Sequence, residues 1–344
     1  MSERAIQVYP YLVTGTSNAR YYHRLPMAAG AVYVSERRKV FLNWGKNKSP
    51  DLPKQVECIN IERERMAQEV SALLKEDGAK QLRVEPEIAA DLYLALAREK
   101  AFGVILQAGI VETLREIKSE WEIEQLRRAA EITDSAYLQV REQIHAGQTE
   151  LQVAAELEQA MRLAGSERFN LTIVAAGPNS ASPHHWASDY VIQKGDFVTM
   201  DYGCTVNGYH SDLTRTIVIG KASEKQKEIY GTVLHAHDEA FRAIRAGAVS
   251  GEVDGVARTI IDGSPYKGAF IHNLGHGIGL DIHEGTGLVP GNTKVLKAGM
   301  VVSDEPGIYL DGYGGVRIED IVLVTEEGAR YLENSDRGLF ETEY

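Results

Sequence analysis

The chain has 344 residues and a formal net charge of −12 at pH 7. This length allows two domains of ordinary size and a sizeable hydrophobic core. The acidic balance argues against nucleic acid or an anionic membrane as a partner, because binding to either depends on a basic surface. A hydrophobic fraction of 44% and a charged fraction of 25% are typical of globular proteins.

The sequence contains no signal for membrane insertion or export. No apolar run approaches the ~20 residues that a bilayer-spanning helix needs, and Met1 to Pro10 lack the basic and apolar pattern of a signal peptide. We therefore expect a soluble, cytoplasmic protein. The two cysteines, Cys58 and Cys204, lie far apart, which predicts neither a disulfide framework nor a thiolate metal site. Any metal ion would be bound by oxygen and imidazole.

The first third of the chain predicts a mixture of strands and helices. Residues 30–34 and 39–42 flank a polar turn and predict a β-hairpin. Apolar residues at helical spacing predict a helix over 61–75, and another helix is predicted over 91–101. This part contains no cluster of metal-ligating side chains. We predict that it supports, covers or dimerises the rest of the protein.

Helix signals become stronger in the second part of the chain. Ser119 and Glu122 have the spacing of a capping box, and similar boxes begin at Thr149 and Ser223. Around these helices the sequence predicts strands over 171–176, 197–204, 212–219, 300–303 and 316–325. Helices that cover one face of a largely antiparallel sheet define an α+β domain. We place the domain boundary so that the two domains are residues 1–114 and 115–344.

Two aspartates lie on a predicted hairpin whose turn is Asn207-Gly208, the strongest short hairpin signal. A two-residue turn pairs Asp201 with Thr214, and it pairs Asp212 with Gly203. Both carboxylates then lie on one face as diagonal neighbours about 7–8 Å apart. A one-residue bulge would separate them, and either aspartate alone could be a solvated charge at a sheet edge.

Further candidate ligands follow downstream. A glycine-rich stretch over 273–284 contains His276, and its glycines allow the backbone to come close to whatever the imidazole binds. Glu305 precedes a proline, and Glu319 lies in an otherwise apolar predicted strand. Burial of a bare carboxylate costs several kcal/mol unless a cation or hydrogen bonds compensate for it. An ion pair with Arg317, which has the same strand parity as Glu319, is the alternative explanation.

These segments resemble the pita-bread metallopeptidase family of creatinase, aminopeptidase P and prolidase, and especially its Xaa-Pro peptidase branch. The matching motifs are Asp-Tyr-Gly at 201–203, Ser-Asp-Leu-Thr-Arg-Thr at 211–216, His-Asn-Leu-Gly-His-Gly-Ile-Gly-Leu-Asp-Ile-His-Glu at 272–284, Glu-Pro-Gly-Ile-Tyr at 305–309 and Arg-Ile-Glu-Asp at 317–320. The resemblance covers roughly residues 115–328. It implies an α+β pita-bread catalytic domain preceded by a smaller α/β creatinase-like domain, which residues 17–22 match only loosely.

Carried over by position, the resemblance implies a site for two divalent metal ions. Asp201 would chelate one ion, while Asp212 and Glu319 would bridge both ions. His276 and Glu305 would complete the second position. Four carboxylates and one imidazole suit Mn²⁺, and Co²⁺, Zn²⁺ or Fe²⁺ could replace it.

The resemblance also assigns residues to catalysis. Glu305 would accept the proton of the attacking water. His184, His272 and His283 match family residues that contact the substrate or hydrogen-bond the tetrahedral intermediate. His185 is the alternative to its neighbour His184.

The substrate-binding part of the resemblance is less complete. Peptidases of this family usually carry a proline shortly after the residue matching Glu284, and several prolidases carry an arginine nearby that binds the free carboxylate of a dipeptide. This chain has Gly285-Thr286-Gly287 instead. Tyr309 and Arg317 could still line the substrate pocket. His235 and His237, on a predicted helix, match no motif and are predicted to lie at the surface.

These observations predict a metallo-exopeptidase that cleaves the Xaa-Pro bond at the N-terminus of peptides or in dipeptides. The main alternative is a pita-bread metalloenzyme that acts on a small non-peptide molecule as an amide hydrolase or lyase. Metal-free creatinase and the binding-only relatives have lost ligands that this chain retains. The resemblance further implies a homodimer.

Overall fold

The computed structural model describes residues 9–26, 28–48, 50–170 and 172–343. The first eight residues lie outside this range, as does Leu171, with which one strand is predicted to begin. The chain forms two compact units, Met1–Arg115 and Glu116–Tyr344. Within the described ranges, no helix combines the length and the apolar character needed to span a bilayer.

The first unit contains one mixed sheet and short helices. Its strands are β1 (Tyr11–Val13), β2 (Gly30–Val34), β3 (Lys39–Asn43), β4 (Val56–Asn60), β5 (Gln81–Val84) and β6 (Gly103–Leu106), and its helices are α1 (Thr16–His23), α2 (Met66–Glu76), α3 (Ala90–Arg98) and α4 (Ile110–Arg115). The sheet has the order β4-β3-β2-β1-β5-β6. The antiparallel pair β2 and β3 is the predicted hairpin, and α2 and α3 match the two predicted helices. A 3-10 turn over Arg63–Arg65 delays the start of α2.

The second unit contains four long helices and several antiparallel sheets. Its helices are α5 (Glu120–Val140), α6 (Glu150–Leu163), α7 (Glu224–Ala243) and α8 (Ser250–Asp262). Its strands are β7 (Ile173–Ala176), β8 (Phe197–Tyr202), β9 (Thr205–Val206), β10 (Tyr209–His210), β11 (Leu213–Val218), β12 (Val301–Asp304), β13 (Gly307–Leu310), β14 (Gly314–Arg317), β15 (Asp320–Val324), β16 (Ala329–Tyr331) and β17 (Phe340–Glu341). The larger sheets have the orders β17-β11-β8-β7 and β12-β15-β16. Only the β11–β17 pair in these two sheets is parallel.

The helices of the second unit that the sequence predicts are those that begin with a capping box. Ser119, Thr149 and Ser223 each form the predicted capping box at the start of α5, α6 and α7. Helix α8 is not predicted, because Val249 at its N-cap makes no side-chain hydrogen bond. Its glycines, Gly251 and Gly255, weaken the helical signal further.

The single strand predicted over 316–325 is wrong. Strand β14 pairs with β13, whereas β15 pairs with β12 and β16. The chain changes partner between them, and the N–H of Glu319 donates to Thr214 O at 3.1 Å. This change of partner places Glu319 directly beside β11.

Two hydrophobic clusters hold the strands that carry the candidate ligands. In one cluster, α5 and α6 pack on β7, β8 and β11 through residues such as Leu157, Met200 and Leu213. In the other, α7 and α8 pack on β12–β15 through residues such as Val233 and Val302. The strands that contain or adjoin Asp201, Asp212, Glu305 and Glu319 are therefore each anchored to a pair of helices.

Candidate metal centre

The hairpin that carries the two aspartates has the predicted register. Asp201 on β8 lies opposite Thr214 on β11, and the β9–β10 ribbon continues the same register to the turn. Asn207 and Gly208 have φ angles of 48° and 81°, the left-handed pair that a two-residue hairpin turn of this type requires. The predicted bulge-free hairpin is confirmed.

Gly203 allows the hairpin strands to meet between the two aspartates. A Cβ at this position would lie 2.0 Å from Ser211 O and 2.3 Å from Asn170 Nδ2. Since Ser211 O belongs to the backbone of the paired segment and cannot move without disturbing the hairpin, only glycine fits here. The geometry that brings Asp201 and Asp212 to one face therefore depends on this residue.

The structure brings all five predicted ligands together. Asp212, His276 and Glu319 each place one ligand atom within 4.8 Å of the others. His276 Nε2 lies 3.5 Å from Asp212 Oδ2 and 3.4 Å from Glu305 Oε1. Asp201 lies close enough for its charge to raise the pKa of Glu319, after the larger effects of burial, Asp212 and Glu305.

The negative charges of the carboxylates in this cluster are only partly compensated by positive neighbours. Burial, reinforced by Asp212 and Glu305, raises the pKa of Asp201 to about 7 although Arg317 opposes the shift. Burial likewise raises the pKa of Glu305, and it raises the pKa of Glu319 well above its ordinary value. The cluster holds more negative charge than its protein neighbours compensate.

The donor set fits divalent cations. Burial lowers the pKa of His276, but the hydrogen bond with Asp212 and the charges of Glu305 and Asp212 outweigh it and raise the pKa to about 9. The raised pKa of the imidazole shows that the surrounding carboxylates favour a positive charge at this position. Oxygen ligands with one imidazole match the preference of Mn²⁺ and related ions.

Arg317 does not form the alternative ion pair with Glu319. Its Nη2 donates to Asp201 Oδ2 at 2.6 Å, and its Nη1 donates to Tyr309 Oη at 2.7 Å. Glu319 Oε2 instead accepts the hydroxyl of Thr214 at 2.6 Å. Arg317 therefore leaves one oxygen of Asp201 and both oxygens of Glu319 without a guanidinium partner.

Ser303 was not predicted as part of the site. Its hydroxyl donates to Glu305 Oε1 at 3.0 Å and accepts the backbone N–H of His276 at 2.9 Å. One serine thus ties two candidate ligands to each other. The only sequence signal is its position two residues before Glu305, which places both side chains on one strand face.

The glycines of the 273–284 stretch lie in close contact with neighbouring segments. A Cβ on Gly275 would lie 2.0 Å from Ser303 O, and one on Gly277 would lie 2.0 Å from Glu284 O. A Cβ on Gly279 would lie 2.2 Å from Glu284 Oε1. These glycines let the stretch pack against neighbouring backbone and against the Glu284 side chain.

His272 and Tyr309 form a hydrogen-bonded chain with Arg317. His272 Nδ1 lies 2.8 Å from Asn273 O and its Nε2 lies 2.8 Å from Tyr309 Oη. Burial and the charge of Arg317 lower the pKa of His272 to about 4. The neutral ring therefore donates through Nδ1 and accepts the tyrosine hydroxyl at Nε2.

Helix α8 anchors this part of the site from behind. Asp254 accepts the backbone N–H of Leu274, and Arg258 donates to the backbone carbonyls of Phe270 and His272. The two side chains also pair with each other at i and i+4. That spacing is the signal in the sequence that could have identified them.

The remaining histidines differ in their surroundings. The ring of His283 is exposed and lies 4.1 Å from the ring of His276. His184 is also exposed, and after burial its charge is one of the causes that lower the pKa of His272 and His283. His185 Nε2 lies 2.8 Å from Glu150 Oε2 and is part of the supporting structure.

One of the two surface predictions on α7 is wrong. His235 is exposed, but His237 is fully buried and lies 3.1 Å from Asp320 Oδ2. The helix face that carries His237 packs toward the acidic residues next to Glu305 and Glu319. No motif marks this residue, because its partners are distant in sequence.

The Gly285-Thr286-Gly287 segment packs onto the glycine-rich stretch. Gly285 has a φ of 63°, a left-handed conformation that favours glycine. A Cβ on Gly287 would lie 3.0 Å from Gly275 O. Thr286 is buried, and its hydroxyl lies 3.3 Å from Glu116 Oε1. Backbone conformation and close packing therefore explain why these three positions carry small residues.

Comparison with known proteins identifies the family and the fold of this chain. The sequence profile of metallopeptidase family M24 matches residues 124–326, more than half of the chain. The chain belongs to metallopeptidase family M24. The resemblance stated from the sequence motifs is thereby confirmed.

Relatives of this M24 chain carry peptidase names. An Xaa-Pro dipeptidase from Pyrococcus furiosus is 47% identical over 232 residues, which cover 67% of this chain and 66% of the relative. A probable dipeptidase PepE from Mycobacterium bovis is 42% identical over 237 residues, which cover 68% of this chain and 63% of the relative. The match therefore spans slightly less than two thirds of these relatives.

Solved structures match this M24 chain over nearly its whole length. An Xaa-Pro dipeptidase from Bacillus anthracis has a TM-score of 0.90 at 37% identity, covering 98% of this chain and 96% of that chain. An X-Pro aminopeptidase from Thermotoga maritima has a TM-score of 0.91 at 31% identity, covering 98% and 99%. The predicted α+β pita-bread fold is confirmed.

Proposed function

We propose that this chain is a metallo-exopeptidase that cleaves the Xaa-Pro bond in dipeptides or at the N-terminus of short peptides. The convergence of Asp201, Asp212, His276, Glu305 and Glu319 is the observation that carries this proposal. The names of its relatives support the peptide substrate, and they favour it over a small non-peptide molecule. The proposal concerns the whole protein, with residues 1–114 in a supporting role.

The proposed cofactors are two divalent metal ions, of which Mn²⁺ suits the donor set best and Co²⁺, Zn²⁺ or Fe²⁺ are alternatives. Asp201 would hold one ion, and Asp212 and Glu319 would be shared. His276 and Glu305 would hold the second ion. When bound, such a pair of ions acidifies a water molecule and polarises the scissile carbonyl.

The chain's own residues would handle protons and orient the substrate. Glu305, whose carboxyl is held by Ser303, would accept the proton of the attacking water. His184, His272 and His283 would contact the substrate and the tetrahedral intermediate.

Arg317 and Tyr309 would shape the substrate pocket. Both are buried, and Arg317 reaches Asp201 while Tyr309 reaches His272. They would link the metal ligands to the substrate-contacting histidines. A substrate that disturbs His272 would therefore also disturb the ligand Asp201.

A substrate panel tests this proposal. Xaa-Pro dipeptides, Xaa-Pro-Yaa tripeptides and matched Xaa-Ala controls are incubated with the Mn²⁺-loaded protein, and released amino acids are quantified. We expect cleavage of the proline peptides only. Failure to cleave any peptide, with metal bound, would contradict the proposal and favour the small-molecule alternative.

Glu305 is tested separately from the substrate. Glu305→Gln retains an oxygen ligand but cannot accept the water's proton, so turnover should fall at least 100-fold while bound metal is retained. Metal content and turnover are measured on the same preparation. Normal turnover in this variant would remove Glu305 from the proposed base role.

A homodimer, which the family resemblance implies, and a cytoplasmic location also belong to the proposal. Light scattering coupled to size-exclusion chromatography measures the mass in solution. We expect twice the chain mass of 38.0 kDa. A monomeric mass at working concentration would remove the dimer from the proposal.

A further inference from the structure

A second acidic pair lies directly behind the candidate metal ligands. Asp304 and Asp320 are opposite each other in the ladder of β12 and β15, and both are fully buried. Asp304 immediately precedes Glu305, and Asp320 immediately follows Glu319. The separation of Asp304 from Asp320 therefore influences where these two ligands lie.

Asp320 is fully compensated by cations. Arg215 Nη2 donates to its Oδ1 at 2.8 Å, and Arg337 donates to both oxygens at 2.7 and 2.8 Å. Arg215 also donates to the backbone carbonyl of Glu319 at 2.7 Å. These contacts fix the position of Asp320 and of the backbone of the candidate ligand Glu319.

Asp304 lacks such compensation. Neither of its carboxylate oxygens has a hydrogen-bond partner among the described residues. The nearest ionisable base is His237, whose Nε2 lies 4.0 Å from Asp304 Oδ2 and 3.1 Å from Asp320 Oδ2. A buried carboxylate without a partner costs several kcal/mol, so the position of His237 decides how well Asp304 is tolerated.

His237 is held rigidly in this position. Its ring stacks on Tyr331 with centroids 5.8 Å apart and planes 7° apart. Tyr331 in turn stacks on Phe241 at 3.8 Å, and the Arg337 guanidinium lies 3.5 Å from its centroid. Neither ring nitrogen of His237 has a hydrogen-bond partner among the described residues, so this stack is what holds the ring between the two aspartates.

We propose that His237 is a positioning residue for the metal centre: placed between Asp304 and Asp320, it fixes the spacing of Glu305 and Glu319. This inference rests on the proposed function, because it requires that Glu305 and Glu319 bind metal. His237 itself is fully buried and lies against Asp304 and Asp320, which are not among the proposed ligands. Groups that hydrogen-bond a metal ligand directly commonly change metal affinity by about 10- to 100-fold when they are replaced, and we expect His237, one contact further away, to reach the lower end of that range.

The test compares two histidines of the same helix. His237→Gln retains a polar side chain but loses the ring, and His235→Gln makes the same change at an exposed position. Metal-stripped full-length chains are titrated with Mn²⁺ by calorimetry, and thermal unfolding is followed in parallel. We expect His237→Gln to weaken Mn²⁺ binding at least about 10-fold, and His235→Gln to bind as the wild type does.

A second variant keeps the test decisive if His237→Gln does not fold. Tyr331→Leu leaves every carboxylate and the imidazole in place but removes the ring on which His237 stacks. It should weaken Mn²⁺ binding in the same direction. Tyr331→Leu with wild-type Mn²⁺ affinity overturns the inference, as does a folded His237→Gln with that affinity, even if its thermal stability is lower.

The outcomes separate this inference from the proposed function. A wild-type chain that binds two Mn²⁺ ions and cleaves Xaa-Pro peptides, beside a His237→Gln chain of equal Mn²⁺ affinity, overturns only the positioning role. A wild-type chain that binds two ions without cleaving peptides overturns only the proposed substrate. A wild-type chain that binds no Mn²⁺ overturns both.

Discussion

Single hydroxyl groups orient the carboxylates of the candidate metal centre. Thr214 donates to Glu319 and Ser303 donates to Glu305. A carboxylate whose second oxygen is occupied presents its first oxygen in a defined direction. Such contacts tune metal affinity although the hydroxyl need not touch the metal.

Thr214→Val removes one of these hydroxyls at nearly constant volume. We expect Mn²⁺ binding to weaken about 10-fold, because the Glu319 carboxylate loses its orienting bond. Thr232→Val, at a partly exposed position of α7, is the matched control. Equal Mn²⁺ affinity of the two variants in a calorimetric titration would refute this account of Thr214.

The surroundings of His23 predict that the free energy of unfolding depends on pH. Its Nδ1 accepts the backbone N–H of Leu25 at 3.0 Å, and burial, with a contribution from Arg20, lowers its pKa from 6.5 to about 4. Between these values the unfolded chain binds the extra proton and the folded chain does not. The free energy of unfolding should therefore fall as the pH falls from 6.5 towards 4.

The His23→Gln variant isolates this effect. Its free energy of unfolding should depend less on pH than that of the wild type, by up to about 1.4 kcal/mol per pH unit across this window. Urea unfolding at a series of pH values measures the difference. Parallel pH profiles for the two chains would show that His23 does not contribute.

The elements that the sequence predicts well have signals within a few residues of one another. The Asn207-Gly208 turn determines the register of its hairpin, and capping boxes determine the starts of α5, α6 and α7. Helix α8 and the change of strand partner before Glu319 have no such local signal. They are determined by packing partners distant in sequence, as is the burial of His237.

A substitution at Gly203 tests whether the hairpin positions the two aspartates. Gly203→Ala places a Cβ against Ser211 O, so the strands must separate and Asp201 and Asp212 should lose their common face. We expect a loss of at least about 2 kcal/mol in the free energy of unfolding, together with loss of Mn²⁺ binding. Denaturant unfolding and metal titration measure both effects.

Gly231→Ala is the matched control for this substitution. Gly231 lies in α7 with open space where its Cβ would be. Alanine there should stabilise the chain by about 0.5–1 kcal/mol through helix propensity and leave metal binding unchanged. Similar behaviour of the two alanine variants would contradict the role given to Gly203.

At the scale of the whole molecule, the ligand set joins segments that are far apart in the chain. The motif order in the sequence predicts which residues meet, whereas the orienting contacts of Ser303, Thr214 and Arg258 emerge only from the fold. The motif resemblance identified the candidate ligands, because the chemistry of metal binding restricts their residue types. It could not identify supporting residues, whose side chains satisfy local packing and hydrogen bonding.

Metal removal should destabilise the folded chain as a whole. The crowded carboxylates repel one another when no cation is present, and an ion that binds only the folded state stabilises it by mass action, by about 2.7 kcal/mol at a concentration 100 times its dissociation constant. Chelator treatment should lower the thermal unfolding midpoint, and added Mn²⁺ should restore it. Identical midpoints with and without chelator would contradict a metal site in the folded protein.

The most direct test of the central claim is a metal count on wild type, Asp212→Asn and Glu319→Gln, with Xaa-Pro hydrolysis measured on the same samples. Asp212 and Glu319 are the two carboxylates assigned to both ions, so each substitution should affect both positions. We predict two Mn²⁺ ions per wild-type chain, with most metal and most hydrolysis lost in both variants. Wild-type metal content and turnover in either variant would contradict the two-metal site.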